Sequence, residues 1–286
     1  MTELEFQNLV KSGIVLLDGA MGSNLMLKGM PKGVCTEKWV CEHPDVQKEI
    51  QSAYVEAGSQ IIYAPTFQAN RISLANHGLE NSIGELNKIP VLNAKEAAAG
   101  KALVAGDITS TGRYTENYDV LLDVYKEQIA LLAETGVDLL AIETMIGMDE
   151  TMAAIDAAKN VCDLPIICTM TVEADGSLLL GGNIYEAVAT YEAMGASAVG
   201  INCSLGPDQL VAIVQGMKNA VSIPVVVKPN AGMPFINEQG QAEYTMGPEE
   251  YAKHMKVLVE AGADLIGGCC GTNPDYISAL KKQCEK

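Results

Sequence analysis

Four stretches of the chain share one plan: EAGSQIIYAPT at 56–66, ETGVDLLAIET at 134–144, EAMGASAVGINCS at 192–204 and EAGADLIGGCCG at 260–271. In each, an acid closes a helical segment, a glycine follows, and a short apolar run ends in a polar or sulfur residue. Gly58, Gly136, Gly195 and Gly262 hold the position of a helix C-cap, where a left-handed backbone favours glycine. Between these stretches lie weaker copies, DLPIICTMTV at 163–172 and SIPVVVKPN at 222–230. Extending the pattern outward predicts strands at 14–18, 61–64, 103–108, 139–143, 165–172, 198–203, 224–228 and 265–270. These runs lack apolar/polar alternation, as parallel strands covered on both faces do. The linking segments carry helical stripes. Leu121, Val124, Ile129, Leu131 and Leu132 form one at 120–135, and Tyr251, Met255, Leu258 and Val259 form another at 248–261. Eight βα units of this regularity predict an α/β fold, a (β/α)8 TIM barrel forming a single domain over 1–286. An open doubly wound sheet is the alternative. It usually has fewer strands, and no G-x-G-x-x-G follows the first strand here.

No boundary splits the chain. Residues 28–44, with Gly29, Pro31, Gly33 and Trp39, are expected to form a long loop after the first strand, and 232–248 another after the seventh. Of the 286 residues, 48% are hydrophobic and 19% charged, which supplies a sizeable core and excludes disorder as the main state. Nineteen basic residues face 36 acidic ones, a net charge of −17. That balance argues against nucleic-acid and anionic-membrane partners, which need basic patches. It suits a soluble cytoplasmic enzyme and leaves a basic protein partner open. No apolar run approaches the roughly 20 residues of a membrane span. The opening MTELEFQNLVKSG lacks the apolar centre of a secretory signal. Eight cysteines without such a signal point to a reducing compartment, where they serve as packing, metal ligands or thiol catalysts.

Barrel enzymes act at the C-terminal ends of their strands. Those ends are predicted at Asp18, Thr66, Asp107, Glu143, Thr171, Cys203, Asn230 and the pair Cys269–Cys270. Cys162 and Cys168 are expected to be packing, and Cys35, Cys41 and Cys284 carry no assigned role. The other three cysteines end two even-numbered strands, whose residues can lean together across the mouth. Adjacent cysteines make a strained disulfide. Within GGCCG at 267–271, however, flanking glycines allow both thiols to face one ion. Three thiolates form a soft set suited to zinc. They leave the site near −1, poorly suited to activating water. Such a site suits binding a substrate thiol and lowering its pKa while the sulfur stays nucleophilic. The chemistry indicated is alkyl transfer to sulfur.

The motifs LLDGAMGSNL at 16–25, APTFQANR at 64–71, AIETM at 141–145, GINCSLGP at 200–207 and GGCCGTNPDYI at 267–277 resemble those of the homocysteine S-methyltransferase family. The likeness is closest to the N-terminal homocysteine-binding module of cobalamin-dependent methionine synthase. It implies a zinc-dependent enzyme of methionine biosynthesis that methylates the thiol of homocysteine. By this resemblance Cys203, Cys269 and Cys270 are the zinc ligands, and Asn230 matches a provisional fourth ligand displaced by the substrate. Asp18 and Gly19 match the motif that helps to hold the amino acid, and Glu143 the acid that receives its ammonium. Thr66 and Asn202 lie in motifs as further substrate-binding candidates, each with a structural alternative. Without the family, Asp18 and Glu143 read equally well as a polar layer at the barrel rim.

The resemblance specifies the acceptor better than the donor. The corrinoid-binding D-x-H-x-x-G is absent: the three histidines stand in CEHPD, ANHGL and AKHMK. A methylcobalamin donor is therefore expected on a separate corrinoid protein. A betaine donor is disfavoured. Aromatic content is 5%, and Thr144 stands where betaine-using relatives place a tyrosine. Sulfonium donors remain in play. So does the reverse reaction, demethylating a small methylated substrate to charge a corrinoid protein. A non-catalytic zinc-stabilised subunit is the alternative of another class, but a structural zinc site normally has four strong ligands.

Overall fold

The structure, a computed structural model, describes residues 1–114, 116–237 and 242–284. The strands, in chain order, are β1 Val15–Leu16, β2 Ile61–Ala64, β3 Leu103–Ile108, β4 Leu139–Met145 and β5 Ile166–Met170. They continue with β6 Ala198–Asn202, β7 Val225–Lys228, β8 Pro234–Ile236, β9 Ala242–Tyr244 and β10 Leu265–Ile266. Eight of them form one parallel sheet in the order β1-β10-β7-β6-β5-β4-β3-β2. A parallel bridge between Leu17 and Ile61 joins its two ends, so the sheet closes. Each barrel strand is followed by a helix. These are Pro44–Ala57, Ile83–Ala98, Tyr118–Thr135, Met148–Val161, Ile184–Ala193, Val211–Ala220, Pro248–Glu260 and Pro274–Cys284. The TIM barrel read from the sequence is the observed fold.

Alternate residues of every barrel strand point inward. Val15, Leu17, Ile61, Tyr63, Ala105, Leu139, Ala141, Ile167, Ala198, Val226 and Leu265 form one buried cluster. Phe6, on the N-terminal helix Glu3–Lys11, joins that cluster and plugs the barrel floor. The intervening residues face outward and pack against the helices in a second cluster. Burial on both faces explains the uninterrupted apolar runs. Gly200 is required by close approach: a Cβ there would lie 1.9 Å from the Val226 carbonyl oxygen. The four predicted cap glycines, Gly58, Gly136, Gly195 and Gly262, all take positive φ.

Three regions differ from the sequence reading. The predicted loop 28–44 contains a helix, Thr36–Glu42. A long-range contact explains it: the buried Glu37 accepts the Gln68 backbone N–H at 2.7 Å. The predicted loop 232–248 contains the antiparallel hairpin β8–β9, whose short exposed strands carry no buried stripe to announce them. The last barrel strand ends at Ile266, earlier than expected. Residues 267–269 still lie between β1 and β7: the Gly268 N–H donates to Asp18 O at 2.9 Å and the Cys269 N–H to Pro229 O at 2.8 Å. Among the described residues no helix is long and apolar enough to cross a membrane.

Candidate active site

The inward positions beyond the apolar layer are polar. Continuing the inward register two or four residues along the strands reaches Asp107, Glu143, Thr169, Asn202, Lys228 and Cys269. The first five are buried. A polar layer thus caps the apolar plug at the C-terminal mouth, where barrel chemistry is done.

Lys228, at the end of β7, organises the floor of the mouth. Its Nζ lies 3.3 Å from Asp18 Oδ1, 3.3 Å from Glu143 Oε2 and 3.5 Å from the centroid of the Tyr63 ring. The other Asp18 oxygen, Oδ2, accepts the Tyr63 N–H at 2.7 Å. Burial opposes the charge on Lys228, but Glu143, Tyr63 and Asp18 together hold its pKa well above the usual lysine range. Burial pushes the Asp18 carboxyl up to about 6, with Lys228 opposing the shift. For Asp107, burial and then the Glu143 charge push the carboxyl well above the usual range.

The three thiols converge from β6 and the segment after β10. Their sulfurs all lie within 4.8 Å of one another, and Cys203 Sγ is 3.4 Å from Cys270 Sγ. Backbone geometry turns them together. Cys203 holds φ +51° and donates its N–H to Lys228 O at 3.2 Å. Gly271 takes φ +83°, and a Cβ there would lie 2.3 Å from the Tyr244 ring. Thr272 Oγ1 donates to Cys269 O at 2.8 Å and accepts the Ala20 N–H at 3.1 Å, tying the thiol turn to the first-strand motif. At the mouth Thr144 is strained as well, at φ +58°. Asn202 braces it: its Oδ1 accepts the Thr144 N–H at 2.8 Å, and its Nδ2 donates to Thr144 Oγ1 at 2.7 Å. Strain held at two strand ends of one mouth is typical of functional sites.

These residues fit a zinc ion. Tetrahedral zinc thiolates place sulfurs about 3.8 Å apart, the spacing this cluster approaches. Hydrogen bonds from Cys203 and Cys269 pull the Cys270 thiol well below the usual thiol range, the direction a metal-binding sulfur needs. Asn230 Oδ1 is buried and has no hydrogen-bond partner. Its residue lies between Pro229 and Ala231, which are bonded to the backbones of Cys269 and Cys270. An unpartnered amide oxygen beside three soft donors matches a weak fourth ligand.

The other sequence candidates lie around this frame. Glu143 faces Lys228. Both oxygens of Asp18 are engaged, by Lys228 and by Tyr63. Gly19 has no room for a side chain: a Cβ would lie 2.6 Å from Thr272 Oγ1 and 2.7 Å from the Tyr54 hydroxyl. Thr66 Oγ1 donates to Asp107 O at 2.8 Å and accepts the Asp107 N–H at 3.0 Å, so its side chain is spent on β3. Sequence reasoning missed Lys228, Tyr63 and Tyr244. It placed Asp107 and Thr144 without a role. The signal for Lys228 was present: a lysine ending the apolar run VVVK must find acids when buried.

A closed parallel barrel with three converging thiols above an ion-paired floor defines a TIM barrel with a candidate soft-metal site at its mouth. Sequence comparison agrees. A profile of the homocysteine S-methyltransferase family matches residues 15–284. The chain is 30% identical to methionine synthase of Mycobacterium leprae, over 92% of this chain and 24% of that one. It is 29% identical to methionine synthase of Mycobacterium tuberculosis, over 96% of this chain and 25% of that one. It therefore spans about a quarter of the length of these relatives. The metallated form of the Escherichia coli homocysteine methyltransferase MmuM superposes with a TM-score of 0.83 and 26% identity, over 97% of this chain and 98% of that one. The chain belongs to the homocysteine S-methyltransferase family.

Proposed function

We propose that the whole chain, 1–286, works as one homocysteine-binding barrel that methylates the homocysteine thiol to give methionine. The observation carrying this reading is the cluster of Cys203, Cys269 and Cys270 beside the Lys228–Glu143 floor. Cys203, Cys269 and Cys270 would hold zinc, with Asn230 as the ligand that yields to substrate. When bound, zinc keeps a thiol ionised at neutral pH while three thiolates leave the sulfur electron-rich.

The chain's own residues supply orientation. Glu143 receives the ammonium of the amino acid. Asp18 acts through Lys228, fixing it beside Glu143. Gly19 lets the first-strand loop pass close to the thiol turn, and Asn202 keeps the Glu143–Thr144 turn in its strained form. Thr66 fixes β3 beside them. The homocysteine sulfur then attacks a methyl group in line. A new S–CH3 bond forms, and the donor leaves with the electron pair of the bond that breaks.

The donor we favour is methylcobalamin on a separate corrinoid protein. Support comes from the mouth itself, where Leu27 is 81%, Leu179 63% and Ile236 70% exposed on three βα loops. Exposed apolar side chains on the loops at the C-terminal face of a barrel suit a protein partner. A reducing cytoplasm is the compartment that keeps the thiols available. A small sulfonium donor is the second reading.

Replacing Cys269 with serine tests the proposal. Zinc content and methyl transfer should fall together. A variant that keeps full turnover without zinc contradicts the mechanism. Assays run in both directions, with methylcobalamin on a corrinoid protein and with sulfonium compounds, separate the donors and the reverse reaction.

A further inference from the structure

The acids of the mouth are not equally occupied. Asp18 uses one oxygen on Lys228 and the other on the Tyr63 N–H, and Glu143 uses Oε2 on Lys228. Asp107 differs. Its residue is 7% exposed, yet Oδ1 is buried and has no hydrogen-bond partner. The Tyr63 hydroxyl nearby in the barrel interior is likewise buried without a partner. A carboxylate oxygen buried in this way costs the fold free energy and returns none.

The side chain of Asp107 is not needed to hold its strand, because Thr66 Oγ1 already bonds both its N–H and its carbonyl. Register places it opposite Ala141, two residues before Glu143. The two carboxylates therefore share the inner face on adjacent strands. In the order of the closed sheet, β3 stands across the barrel from β7, which lies between the two thiol-bearing strands. The mouth thus has a sulfur side and an acid side. Homocysteine has the same polarity, with two methylenes separating its sulfur from the α-carbon that bears the ammonium. That ammonium presents three donors, more than the single oxygen left on Glu143 can accept.

We infer that Asp107 is a further substrate contact, taking the ammonium of the amino acid together with Glu143 and thereby selecting amino-acid thiols over simple thiols. This rests on the homocysteine reading above. Burial and the Glu143 charge hold the Asp107 carboxyl above its usual range, as suits an acid whose counter-cation is the ligand. The resemblance that singled out Asp18 and Glu143 gave Asp107 no role.

The test is equilibrium binding of L-homocysteine and of its desamino counterpart, 4-mercaptobutanoate, to the zinc-loaded wild type, Asp107→Ala and Asp107→Asn. Melting temperatures are measured alongside. The loss of one charge-assisted contact predicts a fall of about 10- to 100-fold in homocysteine affinity for Asp107→Ala. Affinity for the desamino thiol should stay within about twofold, and both variants should melt at or above the wild type, since each removes an unpaired buried acid. Asp107→Asn keeps the shape and should lose less than alanine. A variant that binds homocysteine like the wild type overturns this inference alone, as does an equal loss for both thiols. A wild type that binds neither thiol overturns the homocysteine reading, and this inference with it.

Discussion

At the scale of single residues, the mouth is built on Lys228. Among the described residues it is the one cation shared by two buried carboxylates. Lys228→Met leaves Asp18 and Glu143 without it and should destabilise the fold by about 3–5 kcal/mol, measured by denaturant unfolding. Asp18 gives the protein a particular pH dependence. Its carboxyl rises from an ordinary 3.8 to about 6 on folding, so the native state binds the proton more tightly than the unfolded chain. Asp18 therefore supports the fold most at low pH. That contribution declines as pH rises from about 4 to about 6 and is constant above. Asp18→Asn should flatten this part of the stability profile in melts taken across the window. The site was partly legible in the sequence. Thiols in NCS and GGCCG announce themselves because few other side chains do soft-metal chemistry. Lys228 and Asp107 were harder to see, since their meaning lies in which strands stand opposite in the closed barrel.

At the scale of elements, the βα repeat gave up the strands because each is buried on both faces. β2 and β3 begin and end at the predicted residues. The helix Thr36–Glu42 was invisible because its buried Glu37 is fixed by the distant Gln68 backbone, which no helical stripe announces. The N-terminal helix shows the division of labour between the two ends of the barrel. Phe6 is fully buried in the floor, on the face away from the mouth. Phe6→Ala should cost about 3–5 kcal/mol in denaturant unfolding, with zinc content unchanged. Zinc lost in proportion to stability contradicts that separation.

At the scale of the whole molecule, the chain carries a net charge of −17, while Leu27, Leu179 and Ile236 stand exposed on the βα side of the barrel. That contrast suits a carrier that docks on the mouth. Ile236→Glu should slow methyl transfer from a corrinoid protein and leave transfer from free methylcobalamin unchanged. Equal rates from the protein-bound donor before and after the substitution argue for a small donor instead. The central claim is an open zinc site that captures a thiol, and X-ray absorption at the zinc edge tests it most directly. Without ligand, the account predicts three sulfurs and one oxygen or nitrogen; with L-homocysteine, it predicts four sulfurs. Four strong ligands that homocysteine does not change would make the metal structural and contradict the account.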